Sequence, residues 1–191
     1  MTSGEAPVLP FESPQAWEQW LAQHYTDSAG IWLKIAKKET AIATVTHDEA
    51  LNAALCYGWI DGQRKGLDEQ YFLQKFTPRR PRSIWSLRNV DKVTKLIAEG
   101  KMQPSGQAEV DAAKADGRWD AAYGGQKDME IPADFMAALQ AKPAALEFFN
   151  SLNRANIFAI VFRLRTAKKT ETRQRRFEAL LGMMERGEKI H

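Results

Sequence analysis

Three arginines in a proline-bounded stretch, Thr77-Pro78-Arg79-Arg80-Pro81-Arg82-Ser83, carry the clearest chemical signal in this sequence. A guanidinium is a flat fork of donors. It grips carboxylate or phosphate at two points and stacks on planar rings. The two prolines fix their own φ and restrict their neighbours, so the stretch cannot be regular helix and holds its arginines on a stiff loop. Trp59, Phe76 and Trp85 can supply a stacking floor. Ser83, Ser86 and Asn89 can donate hydrogen bonds, and the amides opening the next helix can hold an anion. Together these residues fit an anionic, partly planar small molecule. The competing reading is a structural loop, with Arg79 ion-paired to Asp61 or Asp68 and both tryptophans in the core.

Asp61, beside Trp59 and Ile60, is the candidate catalytic acid or base; burial and neighbouring charge would decide its role. An Asp-Gly pair is more simply a turn former. On the last helix Lys169, Arg173 and Arg176 continue the stripe of Leu180 and Met184. Either that half of the helix projects beyond the core, or the cations point inward and Arg173 is a second clamp near Arg79. The lone Cys56 lies mid-helix, with no helix N-terminus beside it, and reads as a buried, inert thiol. His24, His47 and His191 share no metal-like spacing, so no metal is expected. There is no Walker motif, Rossmann glycine pattern or nucleophile elbow, and no cofactor is expected.

These residues need elements to position them. Ser13-Pro14 reads as an N-cap with proline at the first helical position, after a loose tail of a dozen residues. Gly30 to Ala36 reads as a strand. Thr46 to Glu49 is a capping box that opens a helix stopping near Gly58. Residues 59–62 and 71–76 read as strands joined by the turn formers from Asp61 to Asp68, a short hairpin. Ser83 or Ser86 caps a helix closing at Gly100, and another spans about 104 to 115. Ala121 to Asp128 reads as a linker. Beyond it Pro132, Pro143 and Asn153 each open a helix, and the last runs from about 168 to 186. The expected class is α+β: a small antiparallel sheet packed by helices over 12–123, then an all-helical part over 130–191.

The 191 residues carry a net charge of +3, unevenly placed. Lys75 to Lys101 has eight Lys/Arg against two Asp/Glu, and Arg154 to Arg176 has eight against one. Such segments suit an anion-facing surface, or are solvated helix faces. No stretch approaches a membrane span. The first residues carry no basic start or apolar run, and one cysteine permits no internal disulfide, so the expected address is the cytoplasm.

Several motifs in order resemble a known family. They are Glu49-Ala50-Leu51, Ala54 to Gly62 (Ala-Leu-Cys-Tyr-Gly-Trp-Ile-Asp-Gly), Phe76 to Arg80, Ser83 to Ser86, Asn89, Gly100-Lys101-Met102, and Asp116 to Trp119 with Tyr123. With Ala167-Lys168-Lys169 and Glu171-Thr172-Arg173, they look like the YdeI/OmpD-associated proteins over nearly the whole chain beyond residue 11. The resemblance implies an association with bacteriocin protection or a porin, and no particular reaction. The expected function is a resistance-associated protein binding an anionic small molecule or envelope fragment. The alternatives are a nucleic-acid-binding protein and an enzyme using Asp61 beside an arginine clamp. No protein partner is named by the sequence.

Overall fold

The computed structural model describes residues 6–125 and 130–190. Residues up to Tyr123 form one compact unit and those from Gly124 another.

The first unit begins with strand β1 (Val8–Pro10) and helix α1 (Pro14–His24). Ser13 caps α1 by accepting from the Ala16 amide at 3.2 Å. Strand β2 (Ile31–Ala36) leads through a loop to helix α2 (His47–Cys56), whose Thr46–Glu49 capping box is complete. Strands β3 (Trp59–Gly66) and β4 (Tyr71–Pro78) form a hairpin, followed by helices α3 (Leu87–Ala98) and α4 (Pro104–Ala115). Ser86, not Ser83, caps α3.

The strand order is β1-β2-β4-β3. The sheet is mixed, not antiparallel as expected: β1 runs parallel to β2, and the other pairs are antiparallel. The difference lies in the supposed loose tail. Prolines at 7 and 10 argue against a strand by local rules, yet an edge strand tolerates them because one side needs no ladder donors. The Trp32 amide still finds the Pro7 carbonyl at 2.8 Å. The hairpin strands are also longer than the turn formers suggested. β3 runs through Asp61-Gly62-Gln63-Arg64 with a bulge between Asp61 and Arg64. The buried Gln74 amide accommodates that bulge by donating to the carbonyls of Gly62 and Gln63.

Ile31, Leu33, Ile35, Phe72 and Phe76 project from one sheet face into a core shared with α1, α2, α3 and α4. At the centre, α2 touches α1, α3, α4 and β3. Gly106 permits this: a Cβ there would lie 2.1 Å from the Cys56 carbonyl oxygen. Ala121 to Tyr123 is not a linker. The Tyr123 amide donates to the Trp85 carbonyl, the Leu87 amide donates to the Tyr123 carbonyl, and a parallel bridge joins Ser86 to Tyr123. Residues 126–128 of the expected linker lie outside the described residues.

The second unit holds helices α5 (Ala133–Gln140), α6 (Pro143–Ser151), α7 (Arg154–Arg165) and α8 (Thr170–Glu185). They close on Phe135, Leu139, Phe149, Ile160, Leu164 and Leu180. Asn153 caps α7, accepting from the Asn156 amide at 3.0 Å. No helix among the described residues is long and apolar enough to cross a membrane.

Candidate functional site

Arg79 follows the last residue of β4, and its amide is anchored to the Gly58 carbonyl at 2.9 Å. The side chain turns inward and is 6% exposed. Its guanidinium carbon lies 3.6 Å from the centroid of the Trp85 ring. Nη1 donates to Ser83 Oγ at 3.1 Å and to the Ile84 carbonyl at 3.4 Å. Nε and Nη2 have no hydrogen-bond partner among the described residues, and neither does Trp85 Nε1. No carboxylate among the described residues forms an ion pair with Arg79. Neither Asp61 nor Asp68, the partners the structural reading required, lies within that reach.

A buried cation without a counter-charge is costly. Desolvation pulls the Arg79 pKa down to about 10; the Arg118 charge adds to this, and Glu109, Tyr123 and Asp61 oppose it. The group stays charged at neutral pH. The Trp85 π face replaces part of the lost hydration.

Ser83 ties two arginines together. Its hydroxyl accepts from Arg79, and its carbonyl accepts from Arg118 Nη1 at 2.9 Å. Arg118 is itself buried and paired with Asp116 at 2.7 Å. Trp85 also meets Trp119, with ring centroids 5.0 Å apart. The Tyr123 phenol bonds to the Ser86 side chain; burial first, and then the Asp61 charge, push its pKa up. Asp61 thus acts electrostatically on both Arg79 and Tyr123. It also has a direct partner, because its Oδ2 lies 3.1 Å from His47 Nε2.

Of the residues expected at a ligand site, Arg79, Ser83, Trp85 and Ser86 come together, with Asp61 in electrostatic reach. Asn89 is buried in the first turn of α3, where its amide donates to Ser86 Oγ at 3.2 Å. Arg80 and Arg82 are exposed on the adjoining turn, and Arg82 holds a left-handed φ of 64°. Trp59 and Phe76 are not a floor beneath Arg79. Both are buried against Trp17, and Trp59 Nε1 donates to the Tyr25 carbonyl. Arg173 belongs to the second unit, where it pairs with Asp134 at 2.7 Å. That pairing is bidentate, with Nη1 and Nη2 each meeting one Asp134 oxygen. The Cys56 thiol is buried and pushed up to about 11 by desolvation. Among the described residues no three His, Cys, Asp or Glu are grouped to hold a metal ion.

Sequence reasoning missed Arg118, Trp119, Tyr123 and His47 as site residues. The first three stand in the run Asp116 to Tyr123, more than thirty residues beyond the arginine loop. Their common signal is a cation followed by aromatics after a helix-ending glycine. His47 carried none, because only the tertiary fold brings it to Asp61.

No curated protein and no solved structure matches this chain. Residues 128–187 match the family described as Bacteriocin-protection, YdeI or OmpD-Associated. That match covers the C-terminal part alone, although the resemblance suggested nearly the whole chain. Residues 9–109 match a different model, described as a domain of unknown function, DUF8412. Since that match spans more than half of the 191 residues, the chain belongs to the DUF8412 family, with a C-terminal part similar to the bacteriocin-protection, YdeI or OmpD-associated proteins.

Proposed function

We propose that the first unit binds an anionic, partly planar small molecule or envelope fragment at Arg79 and Trp85, in a cytoplasmic protein of the bacteriocin-protection type. The observation that carries this reading is a cluster of unpartnered donors. Arg79 Nε, Arg79 Nη2 and Trp85 Nε1 are all buried and unsatisfied. Native proteins rarely leave such donors orphaned without an ion, water or ligand to take them. Two free N–H groups on one guanidinium match a carboxylate or phosphate edge. The Trp85 ring favours a ligand with a flat portion. The adjoining turn, with exposed Arg80 and Arg82, would open to admit the ligand, and Tyr123 and Ser86 would add polar contacts.

The test is a thermal-shift and calorimetric panel of dicarboxylates, nucleotides, sugar phosphates and cell-wall fragments, run on the parent, Arg79→Lys and Trp85→Phe. Lysine keeps the charge and loses the fork. A compound that stabilises the parent and not Arg79→Lys supports the reading and names the ligand class. Equal stabilisation of parent and Arg79→Lys, or none with any compound, refutes it.

A further inference from the structure

The helices of the first unit cover one face of its sheet. The other face carries Val8 and Pro10 from β1, Trp32 and Lys34 from β2, Tyr71, Leu73 and Lys75 from β4, and Lys65 from β3. The register fixes this placement: Val8 is opposite Trp32, Trp32 opposite Lys75, Lys34 opposite Leu73, and Lys65 opposite Leu73. Trp32 and Leu73 are buried, yet they belong to neither hydrophobic core. Part of the cover on Trp32 is lysine. Lys65 Nζ lies 4.3 Å and Lys75 Nζ 5.5 Å from the Trp32 ring centroid, and Lys34 Nζ lies 3.9 Å from that of Tyr71. Flexible stems give way cheaply, unlike a packed layer.

We propose that this face, centred on Trp32 and Tyr71 and ringed by Lys34, Lys65 and Lys75, binds single-stranded nucleic acid. No carboxylate occupies a strand position on the face. Asp61 is paired opposite Phe76 on the helix side, where it meets His47. Asp68 and Glu69 sit in the hairpin turn, and Asp68 Oδ1 accepts from the amides of Gln70 and Tyr71. The face therefore offers three ammonium groups around two aromatic rings, with the Asp68 charge in electrostatic reach of Lys34 alone among them. Trp32 and Tyr71 lie four residues apart along paired strands, or about 13 Å. Unpaired bases can displace the ammonium groups and stack on these rings, freeing each lysine to meet a phosphate. A duplex keeps its base faces to itself and gains only the charge term. Binding here is independent of the Arg79 site.

The test is fluorescence anisotropy of the intact chain with labelled dT and rU oligomers of about 12 nucleotides, a length within the usual span of such grooves. Three phosphate contacts predict that raising salt from about 50 to about 200 mM weakens binding roughly 20-fold. Lys65→Gln with Lys75→Gln leaves one contact, and the same change in salt then weakens binding only roughly threefold. Trp32→Ala loses roughly tenfold in affinity with the salt slope kept. The dT and rU arms decide between DNA and RNA. The proposal is overturned by the absence of saturable binding, by equal binding of the double lysine variant, or by tighter binding to vesicles of phosphatidylglycerol and phosphatidylethanolamine.

Discussion

Replacing Arg79 by methionine should leave the first unit about as stable as before. A guanidinium held at about 10, well below its ordinary value, is disfavoured by roughly 3 kcal/mol. Against this stand a desolvated cation–π contact with Trp85, about 2 kcal/mol, and its two hydrogen bonds, together about 1 kcal/mol. The terms cancel to within about 1 kcal/mol, and methionine keeps an unbranched stem of similar reach. Had Arg79 been one half of a buried ion pair, its loss would cost about 3–5 kcal/mol. The assay is urea unfolding followed by tryptophan fluorescence. All six tryptophans lie between Trp17 and Trp119, so the signal reports the first unit alone. The desolvation penalty is fully present below pH about 10 and is relieved as the pH rises past that value, because the unfolded arginine keeps its proton longer. The parent should therefore gain on Arg79→Met above pH about 10 and hold a constant difference below it. A midpoint loss equivalent to about 3 kcal/mol at neutral pH would refute the reasoning, and Arg79 would then be a structural keystone.

Gly106→Ala should destabilise the first unit by about 2–4 kcal/mol, because its Cβ would meet the Cys56 carbonyl; an unchanged fluorescence midpoint would contradict the α2–α4 packing. His47→Ala, Asp61→Asn and the double variant should give a coupling under about 1 kcal/mol, since both side chains are about a quarter exposed; a double-mutant cycle in urea measures it. Cys56 should resist thiol reagents in the native state and react only on unfolding, which a timed colorimetric thiol assay reads directly. Arg173 holds the Asp134 carboxyl below its ordinary 3.8. That contribution is present above pH 3.8 and fades as the pH falls below it. Arg173→Ala should cost the second unit less than about 1 kcal/mol at neutral pH, with the difference shrinking in acid, followed by far-UV circular dichroism.

Local rules made much of the scaffold legible. Ser13, Thr46, Ser86 and Asn153 each close a short-range hydrogen bond three residues ahead, which spacing alone can show. β1 was not legible because its pairing depends on a partner more than twenty residues away. Its own prolines point to coil. The same distinction runs through the site. Arg79, Ser83 and Trp85 are neighbours in sequence, so their association was readable. Which tryptophan would stack on the arginine was not. Trp59 and Trp85 are alike in type, but Trp59 starts a strand facing α1, whereas Trp85 sits where the chain enters α3. Arg173 follows the apolar stripe of α8, and the acceptor it meets, Asp134 on α5, is 39 residues away in sequence and not readable from spacing.

The DUF8412 match ends at residue 109, yet the surroundings of Arg79 and Trp85 do not. Arg118 ties Ser83 in place, Trp119 backs Trp85, and Tyr123 pairs with the backbone on both sides of Ser86. A segment beyond the family boundary thus packs around Ser83 and Trp85. We expect Arg79 to set the requirement for an anion, and Arg118, Trp119 and Tyr123 to set which anion fits. Arg118→Ala tests this division of labour. It removes the cation that bonds to the Ser83 carbonyl, and it takes the guanidinium away from Asp116. Its effect should fall on which anion binds, with the Arg79 contact to Trp85 retained. Loss of all binding together with a disturbed Trp85 would mean instead that the two arginines act as one unit.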